Sequence, residues 1–177
     1  MRLTAKQIRD IQGKRPLTHE LGGVFLVDHA GTVHGVEYLE GNKCRDDQGN
    51  LLTTVSNCSV SHPTGEYVFH THPRANRPSS GDLYNAVVGY PRKNLIFTPS
   101  GVWSYKATKS LSDAFPLMTT TERRQLKKHW RFLGHMFQED TQQNQVHSFV
   151  HLLEKEGFKI GFLPYHKLRE DSEVFEF

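Results

Sequence analysis

Hydrophobic positions recur with two periods along this chain, alternating in the first two thirds and helical in the last third. Over Thr4 to Gln12, Ile8 and Ile11 share a face. Thr4 and Gln7 form a capping box and Gly13 offers a stop, which predicts a short helix. Lys14 to Pro16 reads as a linker. Gly23 to Val27 and Val33 to Leu39 predict a hairpin turning at Asp28 to Gly31. Gly41 to Gly49 reads as a polar loop, Leu51 to Cys58 as a Thr- and Val-rich strand, and Ser61 to Gly65 as a turn. Tyr67 to His70 predicts a short strand of bulky residues, followed by a Pro-rich loop over 71–79. Ser79 or Ser80 can cap a helix reaching about Val88. Leu95 to Phe97 and Val102 to Tyr105 predict a second hairpin through Pro99 to Gly101.

Beyond this point the period lengthens. Thr119 and Glu122 form a capping box, and Leu126, Trp130, Leu133 and Phe137 then make one helical stripe. Asp140 and Gln143 can cap a second helix with a stripe of Val146, Phe149, Val150 and Leu153, ended by Gly157. A strand over Phe158 to Leu163 follows. The pattern predicts an α/β fold, a mixed β-sheet with flanking helices plus a C-terminal helical pair. Its organisation is a domain over 1–110 with a helical extension over 111–177, packed on the same domain through its two stripes. The alternative use of those stripes is to bind a partner.

Composition changes this picture little. The chain has 177 residues, 36% hydrophobic and 23% charged, which suits one globular core and argues against long disorder. The net charge of +3 is too small to imply nucleic acid. Arg123, Arg124, Lys127, Lys128 and Arg131 cluster around Trp130, and a solvated outer face is the simpler account of them. Two cysteines, Cys44 and Cys58, form no CxxC pair and fit a reducing compartment. The start carries no apolar signal region and no stretch is long enough to span a bilayer, so a cytoplasmic protein is expected, with export by a dedicated system left open. Histidine is the outlier, with 11 copies.

The chemistry concentrates between His70 and Asp82. His70 and His72 are two residues apart at the end of a strand, where both rings project from one face and can converge on one metal ion. Pro73 ends the strand, and the loop returns to place Asp82 in the first helical turn as a hard third ligand. Three protein ligands leave a fourth position open, as in catalytic zinc sites. A bare His-x-His is more often a surface pair, and the added Pro, Ser and Asp are what sharpen it.

His70-x-His72-Pro73 followed by Ser79-x-x-Asp82 resembles the signature of the JAMM (JAB/MPN) metalloproteases. The resemblance covers roughly Thr4 to Ala107. It implies a JAB/MPN-like, cytidine-deaminase-like sandwich. It also implies a zinc ion (Zn2+) held by His70, His72 and Asp82, an oxyanion-stabilising Ser79, and a general base on an early strand. His19 to Val27 is similar to that strand, and Glu20 is the expected base; Glu37, Glu40 and Glu66 are its rivals. One departure stands out: five residues, Arg74 to Pro78, separate Pro73 from Ser79 where the family usually has six, so either the loop is shorter or Ser80 takes the role. The implied function is hydrolysis of an amide or isopeptide bond in a peptide or ubiquitin-like conjugate. The alternatives are a metal-free MPN-like binding module and a bacterial effector or toxin using the same site.

Other histidines carry less. His147 and His151 have helical i, i+4 spacing, but no Glu follows His147 and both point off the apolar stripe. His29 and His34 flank a turn and are expected in solvent. Arg74 and Arg77 beside the site either steer an acidic substrate or solubilise the loop.

Overall fold

The computed structural model describes residues 1–40, 65–137 and 143–177. The expected strand over Leu51 to Cys58, both cysteines and the Asp140 cap lie outside them. Strand β1 (Arg2–Thr4) leads into helix α1 (Ala5–Lys14), whose N-cap Thr4 and Gln7 close the expected capping box. Gly13 does not stop this helix, which runs one residue past it. It ends at Arg15, which is extended (φ −61, ψ 116) because Pro16 follows and disfavours helical geometry in the residue before it.

Hairpin strands β2 (Leu21–Val27) and β3 (Val33–Glu40) come next, then β4 (Tyr67–Thr71), α2 (Ser80–Val88), β5 (Lys93–Phe97) and β6 (Gly101–Ala107). Helices α3 (Lys109–Ala114), α4 (Thr120–Met136) and α5 (Gln143–Glu156), then strands β7 (Phe158–Pro164) and β8 (Val174–Glu176), complete the order. The six-stranded sheet is ordered β3-β2-β4-β5-β6-β7, while β1 and β8 pair separately. Only β4 and β5 run parallel, joined by the α2 crossover, so the sheet is mixed. Among the described residues the fold is α/β with five α-helices. None of them is long and apolar enough to cross a membrane.

Alternation along the strands builds two cores. On one face Phe69, Leu95, Phe97 and Val102 bury against Ile8 and Ile11 of α1 and Phe25 of the hairpin. Gly23 makes room for this packing, since a Cβ there would lie 2.4 Å from the Phe69 ring and 2.5 Å from the Glu37 carbonyl oxygen. On the other face Ile96, Trp103 and Tyr105 bury against Leu83 of α2, Trp130 and Leu133 of α4, and Phe149 and Leu153 of α5. Both C-terminal stripes therefore pack on the sheet. Gly157 (φ +105) turns the chain after α5, as its position predicted, and β7 then pairs with β6 over Phe158 to Pro164.

Candidate metal centre

The site forms where β4 ends and α2 begins. Binding sites in parallel α/β units gather at these carboxyl ends of strands. β4 closes at Thr71, and His72 continues its ladder by one bond, its N–H donating to the Phe97 carbonyl at 2.9 Å. The His70 and His72 rings thus leave the sheet on one face, both buried. Arg15 secures the strand end, donating from Nη1 to the carbonyls of His72 (3.1 Å) and Pro73 (2.9 Å). The short loop that follows is pinned at Asn76. Its carbonyl accepts from Trp103 Nε1 at 2.7 Å and its side-chain oxygen accepts from Ser100 Oγ at 2.9 Å.

Ser79 and Asp82 are a reciprocal capping box. The Asp82 N–H donates to Ser79 Oγ at 3.1 Å, and the Ser79 N–H donates to Asp82 Oδ2 at 2.7 Å. Ser79, not Ser80, is therefore the N-cap. The box also aims Asp82 back at the histidines, so the Ser-x-x-Asp spacing orients a carboxylate as well as starting a helix.

Three short distances describe the centre. The two Nε2 atoms are 3.1 Å apart. Asp82 Oδ1 lies 3.2 Å from His70 Nε2, and Asp82 Oδ2 lies 3.3 Å from His72 Nε2. Ligands bound at zinc-like lengths to one tetrahedral ion stand about 3.3 Å apart. The spacing and donor types thus fit a single small divalent ion held by His70, His72 and Asp82. Glu20 sits further out, its Oε1 3.9 Å from His72 Nε2. The ligand atoms of Glu20, His70 and His72 also lie within 4.8 Å of one another, so this buried cluster could itself hold a metal ion. Asp82 is closer to both nitrogens and more deeply buried than Glu20, which favours Asp82 as ligand and leaves Glu20 at the mouth.

The electrostatics are those of a buried, coupled cluster. Burial opposes charge on His70, but the Asp82 carboxylate, with Glu20 behind it, outweighs burial and holds the imidazole above its ordinary range. Burial likewise pushes against an ionised Asp82, yet His70 and His72 together hold its carboxyl well below the usual carboxylate range. Burial, then Asp82 and Glu20, push the phenol of the core residue Tyr105 well above its ordinary value, so it stays neutral. His72 Nδ1 is buried without a hydrogen-bond partner among the described residues.

All five expected site residues thus come together. Among the rival bases, Glu37 is exposed on β3 and Glu66 lies at the far end of β4, while the Glu40 side chain is outside the described residues. His29, His34, His147 and His151 are exposed, and Arg74 is too. Arg77 corrects the expectation of a solvated or substrate-steering residue. It is buried, its guanidinium 5.4 and 5.2 Å from the Phe137 and Phe149 ring centroids, and it ties the ligand loop to the helical layer. Sequence reasoning passed over Thr71. Its buried Oγ1 accepts the Leu21 N–H at 2.9 Å and so holds the residue after Glu20 against β4. A hydroxyl between two ligands, pointing to the opposite face, was the available signal. Arg15 and Asn76 carried no such signal, because their partners, the His72 and Pro73 carbonyls for one and the Trp103 indole and Ser100 hydroxyl for the other, are far away in sequence.

No family model, no curated protein and no solved structure matches this chain.

Proposed function

We propose that this protein is a zinc-dependent hydrolase of amide or isopeptide bonds, built on a JAB/MPN-like scaffold of the JAMM type. The observation that carries the proposal is the convergence of His70 Nε2, His72 Nε2 and the Asp82 carboxylate at 3.1–3.3 Å, with Glu20 Oε1 3.9 Å from the nearer nitrogen. Zinc suits a set of two imidazoles and one carboxylate, and when bound it supplies Lewis-acid activation of water and of a substrate carbonyl.

The chain's own groups divide the remaining work. Glu20 Oε1, half-buried at the mouth, takes the proton of the attacking water and returns it to the leaving amine. The Ser79 Oγ lone pair is engaged by the Asp82 N–H, which leaves the hydroxyl proton to meet negative charge developing on the carbonyl oxygen. Asp82 stays ionised beside the two histidines. Thr71 and Arg15 keep the base and the ligand strand in register. A peptide or ubiquitin-like conjugate is the substrate class that the motif's resemblance favours.

The test pairs two variants. Glu20→Gln should keep the metal and lose at least about 10²-fold in turnover of peptide and ubiquitin-like substrates. His72→Ala should lose both metal and turnover. Full turnover in Glu20→Gln would remove Glu20 from the chemistry.

A further inference from the structure

At the opposite end of β4 from the metal centre, roughly 10 Å along the strand from His70, the sheet carries a second polar constellation. Tyr67 pairs with Lys93 across β4 and β5, and Lys106 pairs with Lys159 across β6 and β7. Asn94 pairs with Tyr105, so the next step of that ladder sets Lys93 beside Lys106. Strand alternation puts all three lysines on the face that carries Leu95 and Val102. The result is a row of like charges across three adjacent strands, spanning roughly 10 Å. Like charges directly opposite one another destabilise a sheet. Among the described residues none of the three lysines has a carboxylate within 4.0 Å; the charge that opposes the row at Lys93 is Glu176.

This row borders a cavity of about 450 Å³ lined by Met1, Glu66, Tyr67, Arg92, Lys93 and Lys106 among others. That size is in the range of small-molecule sites. Arg92 is held by its Nε–H donating to the Gly65 carbonyl at 3.1 Å. Of the charged side chains that line it, Arg92, Lys93 and Lys106 outnumber Glu66 by three to one. Burial, then Lys106, then Lys159 against the pull of Glu176, hold the half-buried Lys93 ammonium below its ordinary range.

We infer that this cavity is a binding site for a soluble phosphate-bearing small molecule, separate from the metal centre, with Lys93 and Lys106 as its principal charge partners and Arg92 at its wall. A phosphate group brings up to two negative charges and several acceptor oxygens to one point, which relieves a lysine row better than a single carboxylate does. The tyrosine wall beside the row offers an apolar surface for the rest of the ligand.

Calorimetric titration with inorganic phosphate, at ionic strength held constant with sodium chloride, tests this on the full chain. The wild type should show saturable binding of one phosphate per chain. Lys93→Gln and Lys106→Gln should each bind about tenfold more weakly, the loss expected for one charged hydrogen bond. His72→Ala should bind as the wild type does. Each lysine variant should also melt no lower than the wild type without phosphate, because like-charge repulsion is removed; Arg92→Gln, at the cavity wall, serves where a lysine substitution fails to fold and should weaken phosphate binding likewise. No saturable heat, equal heat in wild type and lysine variants, or heat abolished by His72→Ala would each overturn the inference.

Discussion

His72 shows how much single atoms decide here. Its Nε2 is the point from which His70, Asp82 and Glu20 lie 3.1, 3.3 and 3.9 Å away, so removing the ring takes away a donor that nothing nearby replaces. Thr71, its neighbour on the opposite face, is the quieter determinant. Thr71→Val keeps the shape but leaves the Leu21 N–H without its acceptor, and should cost about 1–3 kcal/mol in thermal or denaturant unfolding. A lower turnover with unchanged metal content would accompany that loss, since Glu20 adjoins Leu21 while the ligands do not depend on it. A pH effect follows from His70. An imidazole must give up its proton to bind a metal, and Asp82 and Glu20 hold the His70 proton above the ordinary value of 6.5. Metal affinity is therefore full well above that value and falls as pH drops through a window that begins above 6.5. A competition titration with a zinc chelator at several pH values should show that fall, and a flat profile from pH 8 to pH 5 would contradict it.

Elements were legible where their determinants are local. Thr4 with Gln7, Ser79 with Asp82, and Thr119 with Glu122 each announce a helix start three residues wide, and all three close as capping boxes. Removing one side of such a box, as in Thr119→Ala, should lower stability by about 1 kcal/mol. The apolar stripes of α4 and α5 were equally plain, because a period of 3.6 is visible without knowing what lies opposite. The end of α1 was misplaced because Gly13 looks like a stop, whereas Pro16 sets the stop through the residue before it. The role of Arg77 was hidden for a different reason. Its partners, Phe137 and Phe149, are some 60 and 72 positions away, and a loop arginine next to a proline has no local mark of burial. The candidate ligands were legible in the His70-x-His72-Pro73 and Ser79-x-x-Asp82 motif and the resemblance it carries, yet the support from Arg15, Asn76 and Trp103 comes from long-range contacts that the motif does not encode.

At the scale of the molecule, the helical layer and the ligand loop share one core. Trp130 and Phe149 bury with Trp103, whose indole in turn holds Asn76 beside the site. Trp130→Ala or Phe149→Ala should cost about 3–5 kcal/mol, measured by chemical denaturation. A chain ended at Ser110 would lose β7 from the sheet edge and half of the second core, and should fail to unfold cooperatively. The central claim is the metal centre, and native mass spectrometry of the wild type beside His72→Ala tests it most directly. The account predicts one zinc per wild-type chain and none in the variant. No bound metal in the wild type after zinc is supplied, or equal zinc in both proteins, would contradict it.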